Sequence, residues 1–167
     1  MELSEHPNKH FVSHIISGIT NGFDLGFRGK DDSYIAQNMR SVVIQKDVVR
    51  NYIKGEITAG RVMGPFKEPP FSFFRCSPIG VVPKKTAGKF RVIMNLSKPK
   101  GSSVNDCINK EDFSLSYVTV DQAIDKILSL GKGCLLTKVD VETAFRIVPV
   151  KPEQWNLLGF QFDNEFF

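Results

Sequence analysis

At 167 residues, the chain can form one domain with a sizeable core or two small subdomains, and its 41% apolar and 24% charged residues exclude an intrinsically disordered composition. Lys plus Arg number 22 against 18 Asp plus Glu, a net charge of +4 with a pI near 9.0, which permits an anionic partner without demanding one. Three widely spaced cysteines (Cys76, Cys107, Cys134) form neither a disulfide framework nor a CxxC metal pattern, and Glu2, Glu5 and His6 stand where a secretory leader would be basic and apolar. With no apolar run of membrane-spanning length, the expected setting is intracellular and reducing, without a membrane.

In chain order, Phe11, Val12, Ile15, Ile16 and Ile19 recur at helical spacing before Gly18 and Asn21-Gly22 end the pattern. GFDLGFRG (residues 22–29) predicts a loop anchored by Phe23, Leu25 and Phe27. Tyr34 to Ile44 is ambiguous between a strand and a loop with a short helix. Asp47 can cap a clearer helix carrying Val49, Ile53 and Ile57, ended by Gly60. Four prolines in GPFKEPPFSFFRCSP (residues 64–78) predict a stiff, extended connector packed by aromatics. The 14 phenylalanines, against three tyrosines and one tryptophan, suggest packing surface and not a stacking platform.

IGVVP (79–83) and FRVIMNL (90–96) are apolar β-type runs joined by KKTAGK, which reads as an antiparallel hairpin. Lys84, Lys85, Lys89 and Arg91 gather there with no acid among them. They are either a solvated tip or a phosphate clamp. Ser97 to Asp112 reads as a loop. Thr119 and Gln122 form a capping box for a helix whose face holds Val120, Ile124, Ile127 and Leu128, closed by Gly131. Cys134 to Val139 then predicts a short buried strand on which that helix packs, delivering Asp140 to a strand end. A carboxylate there can hold Mg²⁺ or merely cap the following turn. Pro152-Glu153 can start one more helical turn, and Gly159 to Phe162 reads as a strand turning at Asp163-Asn164 into Glu165, Phe166 and Phe167.

SPIGVVPKK (77–85), GKFRVIMNLS (88–97), SVND (103–106) and KVDVETAFRIVPV (138–150), in this order, resemble the fingers and early palm of a reverse transcriptase. GRVMGPFKEPP (60–70), SVND and LLGF (157–160) most resemble the polymerases of DIRS-type retrotransposons, which use a tyrosine recombinase. The resemblance implies an α+β fold: the fingers and incomplete palm of a right-hand polymerase, with antiparallel strands and packed helices over residues 64–167, preceded by a helical extension over 1–63. It implies an RNA-directed DNA polymerase using Mg²⁺, dNTPs and a primer on an RNA or DNA template. Asp140 matches the metal-binding aspartate, with the Val141 carbonyl as a further metal ligand. Thr143 and Ala144 match positions whose amides hold the triphosphate, and Phe145 matches the aromatic that excludes a 2′-hydroxyl. Arg91 and either Lys84 or Lys85 match the fingers residues on the triphosphate, while Lys89 and Arg146 are candidate nucleic-acid contacts. Asn95 stands where many relatives have aspartate.

No aromatic-x-Asp-Asp sequence follows Asp140, so the chain is expected to lack part of the palm, to rely on downstream palm, thumb and possibly RNase H segments of a parent polyprotein, and not to polymerise alone. Two other readings are a non-catalytic nucleic-acid-binding piece and a remnant without a stable fold. In the last, Phe160, Phe162, Phe166 and Phe167 would be exposed for want of palm strands.

Overall fold

The computed structural model describes residues 5–112, 115–141 and 144–167, excluding the side chain of Phe145. The chain is a mixed α and β protein with three two-stranded sheets, in which α-helices pack against the largest of them.

α1 (Lys9–Asn21) starts where the Asn8 side chain accepts the Phe11 amide and ends at Gly22, whose φ of 88° suits glycine. Contrary to the sequence expectation, Gly18 does not end this helix. It lies inside and is buried, because the Phe23 ring occupies the space a Cβ would need. The following loop is anchored as expected. The Phe23 amide donates to the Pro149 carbonyl at 2.8 Å, the Leu25 amide to Gln154 Oε1 at 2.8 Å, and the Arg28 amide to the Cys107 carbonyl at 2.9 Å.

The ambiguous stretch resolves into both alternatives. β1 (Tyr34–Ile35) pairs in parallel with β2 (Arg75–Cys76), so the proline-rich connector ends in a strand, and α2 (Arg40–Ile44) follows. α3 (Lys46–Thr58) begins directly after α2, which leaves Gln45 as the N-cap without a side-chain bond. Asp47 therefore does not cap α3; it lies within the first turn and pairs with Arg50 at 2.7 Å.

β3 (Ile79–Pro83) and β4 (Phe90–Met94) form the expected antiparallel hairpin, with Val81 opposite Val92 and Val82 opposite Arg91. The segment before α2 closes the free edge of β3. Asn38 Oδ1 accepts the Ile79 amide and Ser41 Oγ accepts the Val81 amide, both at 2.9 Å, and the Met39 amide donates to the Ile79 carbonyl at 3.0 Å. Beneath these bonds Val42, Val49, Ile53, Ile79, Val81, Val92, Phe160 and Phe162 form one core, so residues on both sides of position 64 share it.

β5 (Gln161–Phe162) and β6 (Glu165–Phe166) turn at Asp163 and Asn164, whose φ values of 50° and 65° fit a two-residue hairpin of the primed type. Phe160, Phe162 and Phe166 are buried and Phe167 is half-buried, not exposed as a remnant without a stable fold would leave them. Phe167 stacks on Phe160, and Phe166 meets Phe74 edge to face. The phenylalanines thus find partners within this chain.

The second half departs most from expectation. α4 (Val120–Leu130) has its capping box and Gly131 terminus, yet Val120, Ile124 and Leu128 are exposed and only Ile127 is half-buried. Cys134 to Val139 forms no strand, and Leu135, Leu136 and Val139 lie open to solvent. Apolar periodicity marks a face that could be buried, but a strand also needs a neighbour for its ladder. Among the described residues none pairs with this segment. α5 (Ala144–Ile147) and a 3-10 turn (Pro152–Leu157) complete the chain.

Two glycines test this packing in opposite directions. A Cβ on Gly159 would enter the Phe74 ring, whereas one on Gly55, in the exposed interior of α3, meets nothing within 4 Å. Gly159→Ala should cost about 1–3 kcal/mol through overpacking. Gly55→Ala should add about 0.5–1 kcal/mol of helix stability. Denaturant midpoints of the two variants should therefore move to opposite sides of the parent.

Candidate functional site

The tip of the β3–β4 hairpin is closed by the Lys84 amide donating to the Lys89 carbonyl at 2.8 Å and the Lys89 amide to the Thr86 carbonyl at 3.2 Å. Gly88 adopts a φ of 74° that lets the chain return. Lys84, Lys85, Lys89 and Arg91 are all exposed, and none joins an ion pair among the described residues. Strand alternation turns Val92 to the core and leaves Arg91 outside. Four cations therefore share one end of the hairpin. Asn95, at the opposite end of β4, continues the hairpin through its amide to the Pro78 carbonyl at 2.9 Å, and its Oδ1 accepts the Ser97 amide at 3.1 Å. Beyond it an open hollow of about 570 Å³ is lined by Ser97, Lys98, Lys100, Asn105, Asp106 and Lys110. Asp106 is held below its ordinary carboxylate range by the Ser103 hydroxyl and by the Ser103 and Gly101 amides.

Asp140 and Val141 are exposed on irregular backbone. Ala144 and Phe145 lie in α5, with Ala144 exposed, while Thr143 and the Phe145 side chain fall outside the described residues. Among the described residues no group of three or more His, Cys, Asp and Glu side chains converges. Mg²⁺ takes few protein oxygens and fills the rest of its near-octahedral shell with water and substrate phosphates.

Arg146, the candidate nucleic-acid contact on α5, is half-buried against α3. Its Nη1 donates to Glu56 Oε1 at 2.7 Å, and its guanidinium lies 4.6 Å from the centre of the Tyr52 ring. Glu56, buried on α3, also takes a two-pronged contact from Arg61, Nε to Oε2 at 2.8 Å and Nη2 to Oε1 at 3.0 Å. A glutamate three residues after Ile53, on the apolar face of α3, was the available sequence signal for this site.

A second buried charge went unforeseen. Arg75, 2% exposed, pairs with Asp32, donates to the Ser102 carbonyl at 2.7 Å and the Lys30 carbonyl at 3.2 Å, and lies against the rings of Phe27 and Tyr34. It binds the loop before β1 to the loop after β4. Its sequence neighbours, all aromatic or small, carried no mark of this role.

The Arg61 hydrogen bond, reinforced by the Arg146 charge, holds the Glu56 carboxyl below its ordinary value of 4.5 against the opposing effect of burial. A carboxyl with a depressed folded-state pKa contributes stability that is complete above its unfolded value and is lost as pH falls through the folded one. Between neutral pH and about pH 3 the parent should therefore lose more stability than Glu56→Gln, as read by denaturation at each pH.

No helix among the described residues is long and apolar enough to cross a membrane. No family model matches the chain, and neither a curated protein nor a solved structure matches it.

Proposed function

We propose that the chain carries the fingers and early palm of a reverse transcriptase of the DIRS type, in which Lys84 or Lys85 and Arg91 meet the triphosphate and Lys89 meets nucleic-acid phosphates. The observation that supports this best is the pairing of the two motif runs, 77–85 and 88–97, as one hairpin whose tip presents four exposed cations. Cationic donors on a two-stranded arm suit phosphate oxygens because they can engage several at once. Asp140 and the Val141 carbonyl would contribute to a two-Mg²⁺ centre, which neutralises charge on the attacking and departing oxygens of nucleotidyl transfer. Ligands beyond these two are not found among the described residues.

A reading from another class is a nucleic-acid-binding module without catalysis. It is favoured by the cationic tip, whose four exposed side chains suit phosphates without any catalytic group. Both readings predict binding of a primer–template duplex that weakens steeply with salt. Replacing Lys84, Lys85, Lys89 and Arg91 together with alanine should flatten the slope of log affinity against log salt by roughly 3 to 4 where all four meet the duplex, as in the binding module, and by about 1 where Lys89 alone does, as in the polymerase, since each phosphate contact contributes about 0.7 to 0.9. Fluorescence anisotropy over a salt series measures this, and an unchanged slope would remove the tip from the interface.

Catalysis separates the two readings. In the longest reading frame containing Met1–Phe167, primer extension that Asp140→Asn abolishes, with template affinity intact, supports the polymerase. Binding without incorporation by the parent supports the module.

A further inference from the structure

We propose that Glu56 is a positioning residue that, through Arg146, fixes the helical turn α5 on α3 and so sets the backbone of Ala144 and Phe145. Its consequence for nucleotide binding rests on the polymerase reading above; the clamp itself does not.

α5 has only four residues, too few to be stable alone, and the described chain before it, 115–141, contributes no strand pairing. Downstream the chain is pinned at Pro149 and Lys151 by the Phe23 backbone, and Trp155 Nε1 donates to the Val150 carbonyl at 2.8 Å. Between those points the Arg146 side chain is the tether seen among the described residues.

Its receptor is preorganised. Tyr52 and Glu56 are four residues apart on α3, hence on one face. Arg61, whose amide donates to the Glu56 carbonyl at 2.9 Å, grips both carboxylate oxygens and fixes their orientation before Arg146 arrives. The guanidinium can then lie against the ring and donate to Oε1 at the same time, a combination of stacking and directed donation that a lysine ammonium cannot reproduce. Without the Glu56 charge, Arg61 and Arg146 would face each other uncompensated.

Hydrogen exchange of the 167-residue chain, read by mass spectrometry, tests the clamp. In Arg146→Gln and Glu56→Gln, amides of 144–148 should exchange on the order of 10- to 100-fold faster, while those of β3 and β4 keep their rates. Arg146→Lys should restore part of the protection. Unchanged exchange at 144–148 in Arg146→Gln would overturn the proposal, as would equal acceleration throughout the molecule in that variant, which leaves the Glu56–Arg61 pair in place.

In the longest reading frame, Arg146→Gln should raise the KM for dNTP about ten-fold, because small displacements of positioning groups are expensive, and leave primer–template affinity unchanged. Weakened template affinity with unchanged KM would make Arg146 a direct nucleic-acid contact and overturn the positioning role. A parent that incorporates nothing would overturn the polymerase reading, while the exchange result would still decide the clamp.

Discussion

A two-stranded hairpin is marginal in water, and β3–β4 depends on what closes its edge and covers its face. Asn38 and Ser41 accept the amides of Ile79 and Val81 in place of a third strand, so two buried donors are satisfied by side chains. The same short segment leads into α2 and α3, which lay Val42, Val49 and Ile53 over Ile79, Val81 and Val92. Edge closure and face burial thus come from one run of about twenty residues, at roughly 25 cal/mol for each Å² of apolar surface removed from water. The basic tip projects from a base sealed in this way. Asn38 also donates to the Gln161 carbonyl at 2.7 Å, which joins the C-terminal hairpin to the same seal.

Two buried charges tie the periphery to this centre. Arg75 joins the loop before β1 to the loop after β4 by donating to the Lys30 and Ser102 carbonyls, and the rings of Phe27 and Tyr34 cover its planar face. Glu56 does the same between α3 and α5. In both, the buried group has several partners, which is the condition under which a charge can leave water without prohibitive cost. The consequence differs by location: Arg75 ties loops behind the hairpin, whereas Glu56 reaches α5, just after Asp140.

Electrostatics divides the surface along the same lines. Acids near the core, Glu56, Asp32 and Asp163, are committed to arginines or lysines, while the hairpin cations are not. A modest net charge of +4 therefore understates the field at the tip, where positive groups stand together without compensation.

The sequence by itself determined the elements whose signals are local. Thr119 with Gln122, and Gly131, mark helix ends because capping satisfies amides and carbonyls within a few residues. Alternating β-type runs around KKTAGK specified the hairpin and its cationic tip, and Asp163-Asn164 specified the last turn. Tertiary structure alone decided which apolar faces found partners. The phenylalanines of 160–167 were covered by α3 and by Phe74, while α4 and residues 134–139, equally apolar in pattern, were left exposed. It also decided that Arg146 meets Glu56, ninety residues earlier, and that Arg75 is buried. Periodicity records which surface a segment can offer, whereas burial and charge pairing depend on a second surface whose arrival is set by the path of the whole chain.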